Sequence, residues 1–445
     1  MSKTCKPPVS LWHATGETPA FPPLRGDKTT DVLVIGGGMA GVLTTYFLRQ
    51  VGVDCLLVEQ DRIGGGTTGN TTAKITAQHG LLYHRLLKTA GERAARLYLQ
   101  ANLAAVELFA VLCEDIPCCF VRQDNTVYHR EDGRRIGDEI AALERLGYSP
   151  GYPLELPLPF PVAGAVTFPR QGQFHPLAFL SGIARGLPIC ESTRVRELAH
   201  TTALTDRGRI RAKRVVVTTH FPFLNKHGAF FLKLHQHRSY VLALEGVSPL
   251  KGMYVDDELT GLSFRQAGEL LLLGGGGHRT GKPTPGWAGL EDFAHQHYPR
   301  ARVKYRWAAQ DCMSLDGMPY VGAYGGAAGL YVAAGFNKWG MTGSMVAARL
   351  LCDLLTGQEN PLATVLSPAR PMEKKHLLVN GVSAVTGLLS PTGKRCPHLG
   401  CGLKWNPVEH SWDCPCHGSR FDGKGRCLNG PATGDLKKGE VRNPE

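Results

Sequence analysis

Near the N-terminus, two short apolar runs flank a segment with helical composition. The runs cover residues 31–35 and 54–58, and the helical segment covers residues 42–51. Apolar runs of this length without polar alternation are typical of parallel strands that are buried on both faces. The pattern therefore predicts a strand, a helix and a second strand, which is the repeating unit of an α/β sheet.

Two later segments have other patterns. In residues 81–164, four apolar side chains recur at helical spacing and predict an amphipathic helix whose apolar stripe faces the core. These positions are Leu99, Leu103, Val106 and Ala110. In residues 231–305, polar and apolar residues alternate around Tyr240, which favours antiparallel strands. We therefore expect these two segments to form an α+β domain of their own.

The first predicted strand ends in a glycine-rich turn. Gly36, Gly38 and Gly41 form the pattern G-x-G-x-x-G, and Glu59 follows the second predicted strand. The first glycine allows a tight turn, the second lets the backbone approach a pyrophosphate, and the third lets the helix pack on the strand. An acid at the position of Glu59 accepts hydrogen bonds from a ribose. The sequence therefore predicts a dinucleotide-binding domain.

Two further segments indicate which dinucleotide to expect. Residues 63–80 are rich in glycine and hydroxyl side chains, and residues 335–342 read Gly-Phe-Asn-Lys-Trp-Gly-Met-Thr before a helical run. Both resemble the flavin-contacting segments of the D-amino-acid-oxidase-like superfamily, and the resemblance spans most of residues 31–358. It implies FAD, and hydride transfer from a carbon that bears an amine or a hydroxyl group. The positions that it places at the cofactor are Gly36, Gly38, Met39, Ala40, Gly41, Glu59, Gln60, Thr67, Thr68, Thr72, Ala73, Val195, Thr219, Gly335, Lys338, Trp339, Gly340, Met341 and Thr342.

The last fifty or so residues contain two cysteine–histidine motifs, a C-x-H and a C-x-x-H. The first lies in Cys396-Pro-His-Leu-Gly-Cys401, and the second begins at Cys414-Pro-Cys-His. Two thiolates and two imidazoles can hold a [2Fe–2S] cluster or a structural zinc ion. Zinc modules usually group their histidines after their cysteines, whereas here each loop supplies one of each. The motifs resemble the Rieske family, and the whole chain is similar to bacterial FAD-dependent oxidoreductases that end in a Rieske domain.

The Rieske resemblance assigns roles to six residues. It implies that the cluster ligands are Cys396, His398, Cys414 and His417, and that Cys401 and Cys416 form a disulfide bond.

Two departures from the Rieske pattern change the expectation. Family members of high potential often have Tyr two residues after the serine, whereas this chain has Phe421, which cannot donate a hydrogen bond to a ligand sulfur. Ser419 remains as a donor. Fewer donors stabilise the reduced cluster less, so we expect a potential in the lower half of the range of roughly −150 to +300 mV. Only residues 376–395 precede the first loop, so the base of the domain is expected to be abbreviated.

The predicted fold is an α/β FAD-binding (Rossmann-like) domain with an α+β substrate domain and a small all-β Rieske domain. The expected boundaries are residues 1–30 for an N-terminal arm; 31–80, 165–230 and 306–358 for the FAD-binding domain; 81–164 and 231–305 for the substrate domain; 359–375 for a proline-containing linker; and 376–445 for the Rieske domain.

The composition limits which binding partners and which cellular location we expect. The net charge is +12, without long basic runs or basic–aromatic patches, which favours an acidic redox protein as a partner over nucleic acid. No apolar run approaches the 18 or so residues of a membrane span, and the N-terminus has no apolar signal core. We therefore expect a cytoplasmic protein without a membrane span.

Three residues are candidates for catalysis. Arg265 could bind a substrate carboxylate through two hydrogen bonds, and Lys338 could act beside the flavin. His79 is a third candidate; His220 and His278 are alternatives that more often have structural roles. The predicted function is oxidation of a small amine, amino acid or hydroxy acid at FAD, followed by single-electron transfer through the cluster to an external acceptor. The alternatives are an oxygen-reducing oxidase with a structural zinc module and a nucleic-acid-associated flavoprotein.

Overall fold

A computed structural model of the 445-residue chain describes residues 7–223, 228–371 and 393–437. The helices are α1 (Leu11–Thr15), α2 (Met39–Gln50), α3 (Tyr83–Thr89), α4 (Glu92–Glu114), α5 (Gly133–Arg145), α6 (Pro176–Ala184), α7 (Phe230–Lys233), α8 (Ala288–His297), α9 (Gly340–Thr356) and α10 (Leu362–Val365), and a 3₁₀ turn covers Thr67–Asn70. The strands are β1 (Lys28–Ile35), β2 (Cys55–Val58), β3 (Lys74–Ile75), β4 (Val121–His129), β5 (Gly164–Gln173), β6 (Ile189–Cys190), β7 (Val195–Ala199), β8 (Thr202–Thr205), β9 (Arg209–Val217), β10 (Leu234–Glu245), β11 (Met253–Asp256), β12 (Ser263–Ala267), β13 (Leu270–Arg279), β14 (Arg302–Ser314), β15 (Tyr320–Ala323), β16 (Leu330–Ala334), β17 (Lys404–Asn406), β18 (Ser411–Asp413), β19 (Arg420–Asp422) and β20 (Cys427–Asn429).

The first sheet has the order β15-β16-β9-β1-β2-β6, with β7 and β8 attached to β9. Neighbours from β16 to β6 are parallel, because helices and long connections return the chain to the same edge. Val32, Leu33 and Val34 of β1 are all buried, as expected for a central strand covered on both faces. The predicted α/β domain is confirmed.

The second sheet has the order β14-β10-β13-β12-β11-β4-β5-β3 and is antiparallel except between β11 and β4. Helices α3, α4 and α5 belong to the same part of the chain, so the predicted α+β architecture is confirmed. Of the predicted apolar stripe, Leu99 and Val106 are buried in the core. Helix α4 is long and apolar enough to cross a membrane by length and composition, with a mean hydropathy of 1.4, but it packs against α9.

Sheet membership differs from the expected domain division at three strands. Strand β3, nearly all of β5 and most of β14 fall within segments expected in the FAD-binding domain, yet all three pair in the second sheet. The apolar content of a strand does not specify which sheet edge it joins, because pairing depends on tertiary contacts. Within the expected linker, Arg370 forms an ion pair of 2.6 Å with Asp316, which holds this residue to the first domain.

A third sheet, in the order β17-β18-β19-β20, is antiparallel throughout. It carries the two cysteine–histidine loops and has a small core of its own around Leu403, Trp412 and Phe421. Of residues 376–395, the expected abbreviated base of the domain, residues 376–392 lie outside the described residues. The prediction of a small all-β domain is confirmed.

Candidate functional site

The glycine turn between β1 and α2 has no room for side chains on its inner side. Gly36 has a φ of +113°, and a Cβ atom there would lie 2.9 Å from the Thr218 oxygen. A Cβ atom on Gly41 would lie only 1.9 Å from the carbonyl oxygen of Gly36. At Gly38 the nearest atom to such a Cβ is Thr68 Oγ1 at 3.4 Å, an ordinary contact, so the backbone is less crowded where α2 begins. This cradle fits the pyrophosphate of FAD, because amides at a helix N-terminus bind anions.

Glu59 lies directly after β2, at the edge of the same turn. Its carboxylate accepts hydrogen bonds from the amides of Gly37, at 2.7 Å, and Asp61, at 2.9 Å. Burial raises the pKa of Glu59, and these two amides act in the opposite direction. The position agrees with the predicted ribose contact, which stays a prediction.

Hydroxyl side chains connect the other predicted cofactor segments. Thr68 Oγ1 accepts a hydrogen bond from the amide of Met39 at 3.0 Å, which joins residues 67–73 to the start of α2. Thr342 Oγ1 donates to the carbonyl oxygen of Thr76 at 2.8 Å, which joins the start of α9 to the same region. The structure thus brings three of the predicted segments together. Val195 is buried in the same hydrophobic cluster as Val58 of β2.

Two further predicted cofactor positions, Gln60 and Thr219, form hydrogen bonds with residues close to them in sequence. Gln60 is exposed, and its amide donates to Asp61 at 3.0 Å. Thr219 Oγ1 donates to the carbonyl oxygen of Phe221 at 3.2 Å, just after β9.

We infer a cavity between the two large sheets from three side chains that keep accessible surface there. Lys338, which follows β16 of the first sheet, is exposed, and its Nζ lies beside Gly277 of β13 in the second sheet. Asp311 of β14 and His220, which follows β9, also keep accessible surface. Since Lys338 belongs to the segment that resembles the flavin-contacting part of the superfamily, this cavity is the candidate site for the flavin ring and the substrate.

Two of the three catalytic candidates hold nearby backbone segments in position through hydrogen bonds. Arg265 is buried and donates to the carbonyl oxygens of Thr72, at 2.9 Å, and Ala73, at 2.7 Å. Burial lowers the pKa of Arg265 to about 9, so the group stays charged at neutral pH. These bonds hold the residues expected beside the flavin; the predicted contact with a substrate carboxylate stays a prediction.

His79 is buried between α4 and α9. Its Nδ1 lies 2.8 Å from the Tyr98 hydroxyl, and its Nε2 lies 2.9 Å from the Thr76 carbonyl oxygen. The ring stacks on Trp339 with centroids 5.2 Å apart. Burial lowers the pKa of His79 to about 3, so the imidazole is neutral and both nitrogens already have partners. Its observed contacts are those of a residue that positions the start of α9, and the catalytic role stays a prediction.

Strand β10 separates the cavity from the Rieske domain. The odd-numbered side chains share a face with Asp311 and Trp307 of β14, because His237 pairs with Asp311 and Val241 with Trp307. Trp307 Nε1 donates to the carbonyl oxygen of Asn70 at 2.9 Å, so this face is directed toward the segment expected beside the flavin. The even-numbered side chains lie on the opposite face.

The sequence alone did not indicate Asp311 and His237 as site residues. Each is an isolated polar residue in a strand, and only the pairing register of β10 with β14 brings them to one face. Residue alternation in a strand was the available signal, but it does not identify which face a cavity borders.

The two cysteine–histidine loops bring their four predicted ligands together. The Nδ1 atoms of His398 and His417 lie 3.3 Å apart, and the thiols of Cys396 and Cys414 are within hydrogen-bonding distance of each other. Imidazole nitrogens on one side and thiols on the other form a donor set that fits the two irons of a [2Fe–2S] cluster.

Neighbouring residues complete the loops. Cys401 and Cys416 form a disulfide bond with Cα atoms 6.7 Å apart, which is the pairing that the Rieske resemblance implies. The Ser419 hydroxyl contacts the Cys396 sulfur, and its oxygen accepts a hydrogen bond from Ala432 at 3.0 Å. Phe421 is fully buried behind the loops and offers no hydroxyl group.

Glutamine side chains attach the second cluster loop to the second sheet. Gln236 Nε2 donates to the carbonyl oxygen of His417 at 2.8 Å, and Gln310 Nε2 donates to that of Gly418 at 2.8 Å. A Cβ atom on Gly418 would lie 2.5 Å from Gln236, so this close approach requires glycine. The Phe221 ring lies 6.3 Å from the His417 ring, so the FAD-binding domain also contacts the loop.

A buried ionic network holds the Rieske sheet against the same face of β10. Both guanidinium nitrogens Nε and Nη2 of Arg238 donate to Glu409, with the Nε contact at 2.6 Å. Arg420 contributes a second cation 3.1 Å from the same carboxylate, and the Tyr240 hydroxyl donates to it at 3.2 Å. Burial by itself raises the pKa of Glu409, but Arg238 and Arg420 overcome this effect and lower it to about 2.

Comparison with known proteins agrees with this architecture. The sequence profile named DAO, FAD dependent oxidoreductase, matches residues 31–354. The chain belongs to this family. The Rieske [2Fe-2S] domain profile matches residues 368–440, so the chain is an oxidoreductase whose cofactors are FAD and a [2Fe–2S] cluster. The Rieske match favours iron over the zinc alternative.

Individual relatives share one or both parts. YhfW of Bacillus subtilis, described as a Rieske 2Fe-2S iron-sulfur protein, is 31% identical over 97% of both chains. Gamma-glutamylputrescine oxidoreductase of Escherichia coli is 24% identical and covers 76% of this chain and 86% of its own length. The crystal structure of glycine oxidase from Geobacillus kaustophilus has a TM-score of 0.66 at 21% identity, and covers 78% of this chain and 100% of that one. The last similarity shows the fold.

Proposed function

We propose that the chain oxidises a small amino acid, amine or hydroxy acid at FAD and passes the electrons singly through the Rieske cluster to an external acceptor. Bound FAD accepts the hydride, and a [2Fe–2S] cluster takes one electron at a time, so each substrate requires two cluster turnovers. Gamma-glutamylputrescine oxidoreductase and glycine oxidase, to which the chain is similar, carry amine and amino-acid substrates in their names.

One residue carries the proposal, because it touches both halves of the molecule. The carbonyl oxygen of Gln310 accepts a hydrogen bond of 2.7 Å from Thr67, a predicted cofactor position. Its side chain donates to Gly418 in the cluster loop at 2.8 Å. A single residue of β14 therefore separates the expected flavin site from the cluster, which supports direct electron transfer between them.

The contacts of the cluster loops also support a fixed position for the Rieske domain. Arg279 donates to the carbonyl oxygen of Cys416 at 3.1 Å, and a Cβ atom on Gly281 would lie 2.8 Å from Pro415. These close approaches, together with the buried Arg238–Glu409 pair, favour transfer within a docked structure over movement of the domain between partners.

Exit from the cluster is proposed through His398. Three ligands are buried, whereas His398 keeps accessible surface beside Leu399, which is 39% exposed. Lys394 and Arg395 lie in the same loop region. With a net charge of +12, this surface suits an acidic one-electron carrier protein as the acceptor.

Anaerobic reduction tests the relay. Purified holoenzyme is mixed with a panel of amino acids, amines and hydroxy acids while flavin absorbance and the cluster signal are followed together. We expect a substrate that bleaches the flavin to reduce the cluster afterwards, and the reduced cluster to give an electron paramagnetic resonance signal. A Cys396→Ser variant should retain flavin reduction and lose the cluster signal. Flavin reduction without any cluster reduction in the intact enzyme would refute the relay.

A further inference from the structure

Two oppositely charged side chains face the cavity between the sheets without a protein partner. Lys338 lies next to Gly277, where an added Cβ atom would be 3.1 Å from the lysine Nζ. Asp311 extends from β14 on the cavity face, as its pairing with His237 shows. Among the residues that the structure describes, neither makes a hydrogen bond or an ion pair, although the two are close enough for each charge to shift the pKa of the other.

Two histidines on the same face have unsatisfied nitrogens. The Nδ1 atoms of His235 and His237 are buried without a hydrogen-bond partner in the described part of the chain. Burial lowers their pKa values to about 4 and about 3, so both rings are neutral. Buried polar atoms are normally paired, so the two unpartnered imidazole nitrogens of β10, together with the nearby charged groups of Lys338 and Asp311, point to a ligand.

FAD does not account for these charges. Its anionic pyrophosphate fits the cradle of Gly36 and Gly38, which lies at the start of α2. The flavin ring carries no net charge that needs both a lysine and an aspartate. An ammonium and a carboxylate that lack a hydrogen bond or ion pair would both be complemented by a second molecule that carries one charge of each sign.

We propose that Asp311 binds the ammonium group and Lys338 the carboxylate of a zwitterionic amino-acid substrate. This assignment rests on the proposed function and narrows its substrate class. A hydroxy acid would leave the Asp311 carboxylate unpaired, and a simple amine would leave Lys338 unpaired. The neutral imidazoles of His235 and His237 offer further hydrogen bonds to the same molecule. The assignment does not rely on Arg265, which donates to backbone carbonyl oxygens.

A matched series of ligands tests the assignment. For each of several amino acids, the corresponding hydroxy acid and the corresponding amine without the carboxylate are titrated into anaerobic holoenzyme. L-Alanine, L-lactate and ethylamine form the smallest set. Binding is measured from the shift of the flavin absorbance band and, independently, by calorimetry. We expect the amino acid of at least one set to bind at least tenfold more tightly than both of its analogues.

Two variants separate the roles. Asp311→Asn should abolish the preference of the enzyme for the amino acid over the hydroxy acid. Lys338→Met should abolish the preference over the amine and leave the other preference in place. Asp256→Asn is the control, because Asp256 is a buried carboxylate of the same sheet that caps the amide of Glu258 at 3.0 Å.

Several results would overturn the assignment: tightest binding of a hydroxy acid or an amine, no binding of any amino acid, or unchanged preferences in both variants. Flavin content measured on each variant shows whether loss of cofactor explains a change. Failure of the electron relay is a different result, because it would appear as an unreduced cluster after normal amino-acid binding.

Discussion

Replacing Glu409 with glutamine should undock the Rieske domain without disturbing the flavin half. The carboxylate of Glu409 joins Arg238 of β10 to Arg420 of the Rieske sheet, and the side chains of the Arg238–Glu409 pair are only 7% and 10% exposed. Glutamine keeps the size of the side chain but removes its charge. Arg238 then loses its buried counter-ion, whereas Arg420 keeps Asp413 at 2.9 Å.

Two estimates of the cost agree. Breaking a buried ion pair by removing one partner costs about 3–5 kcal/mol. The arginines lower the pKa of Glu409 from 4.5 to about 2, and this change corresponds to about 3 kcal/mol at about 1.4 kcal/mol per pKa unit. A loss of about 3 kcal/mol lowers the docking equilibrium constant by about two orders of magnitude. The rate of cluster reduction should therefore fall by no more than about two orders of magnitude.

The pH dependence of this contribution has a defined sign. Because the pKa of Glu409 is lower in the docked protein than its ordinary value of 4.5, the stabilisation is complete above pH 4.5 and is lost as the pH falls through about 2. Docking through this group should therefore not change between pH 5 and pH 8.

Stopped-flow absorbance is the assay. In the Glu409→Gln variant, the flavin should be reduced by substrate at the rate of the unmodified enzyme, and cluster reduction should be slower. The matched control is Glu291→Gln, which removes an exposed carboxylate 3.4 Å from Arg306; such surface pairs contribute about 0–1 kcal/mol. Equal rates of cluster reduction in the two variants, with the cluster fully loaded, would refute the reasoning.

Three further changes test other parts of the structure. Gly41→Ala should lower FAD content after purification, because its Cβ would lie 1.9 Å from the carbonyl oxygen of Gly36; Gly137→Ala in α5, which meets no atom within 4 Å, is the control. Phe421→Tyr should raise the cluster potential in a redox titration if the new hydroxyl reaches a ligand sulfur, and an unchanged or lower potential would contradict the donor argument. Leu399→Asp should slow reduction of an acidic one-electron carrier protein whose potential lies above that of the cluster, with no effect on cluster reduction. Leu428→Asp, at a position 49% exposed in the same domain, should slow neither step.

The parts of the fold that could be predicted depend on residues close together in sequence. The glycine turn, the acid after β2 and each cysteine–histidine loop are short motifs whose backbone requirements are read from a few adjacent positions. The docking of the Rieske domain could not be predicted, because it joins Arg238 to Glu409 and Gln310 to Gly418 across long stretches of chain. Nothing in the local sequence of β10 distinguishes a glutamine that faces solvent from one that holds a cluster loop.

The same limit applies to Arg265, whose predicted contact with a substrate carboxylate stays a prediction. Its hydrogen bonds to the carbonyl oxygens of Thr72 and Ala73 could not be predicted, because they join β12 to a distant segment. Asp311 and Lys338, by contrast, make no hydrogen bond or ion pair with a described residue. The tertiary structure thus makes Asp311 and Lys338 candidates for substrate recognition, because their charged groups have no hydrogen-bond partner among the described residues.

Strand β10 makes the two halves of the proposed reaction separable by mutation. Its odd positions, His235 and His237, border the cavity, and its even positions, Gln236 and Arg238, bind the Rieske domain. Because neighbouring side chains in a strand point to opposite faces, a substitution at an odd position should change flavin reduction, and one at an even position should change cluster reduction. A His237→Leu variant with altered substrate binding and a Gln236→Leu variant with slower cluster reduction would show this division. If both variants impaired the same step, β10 would not be the boundary between the two sites.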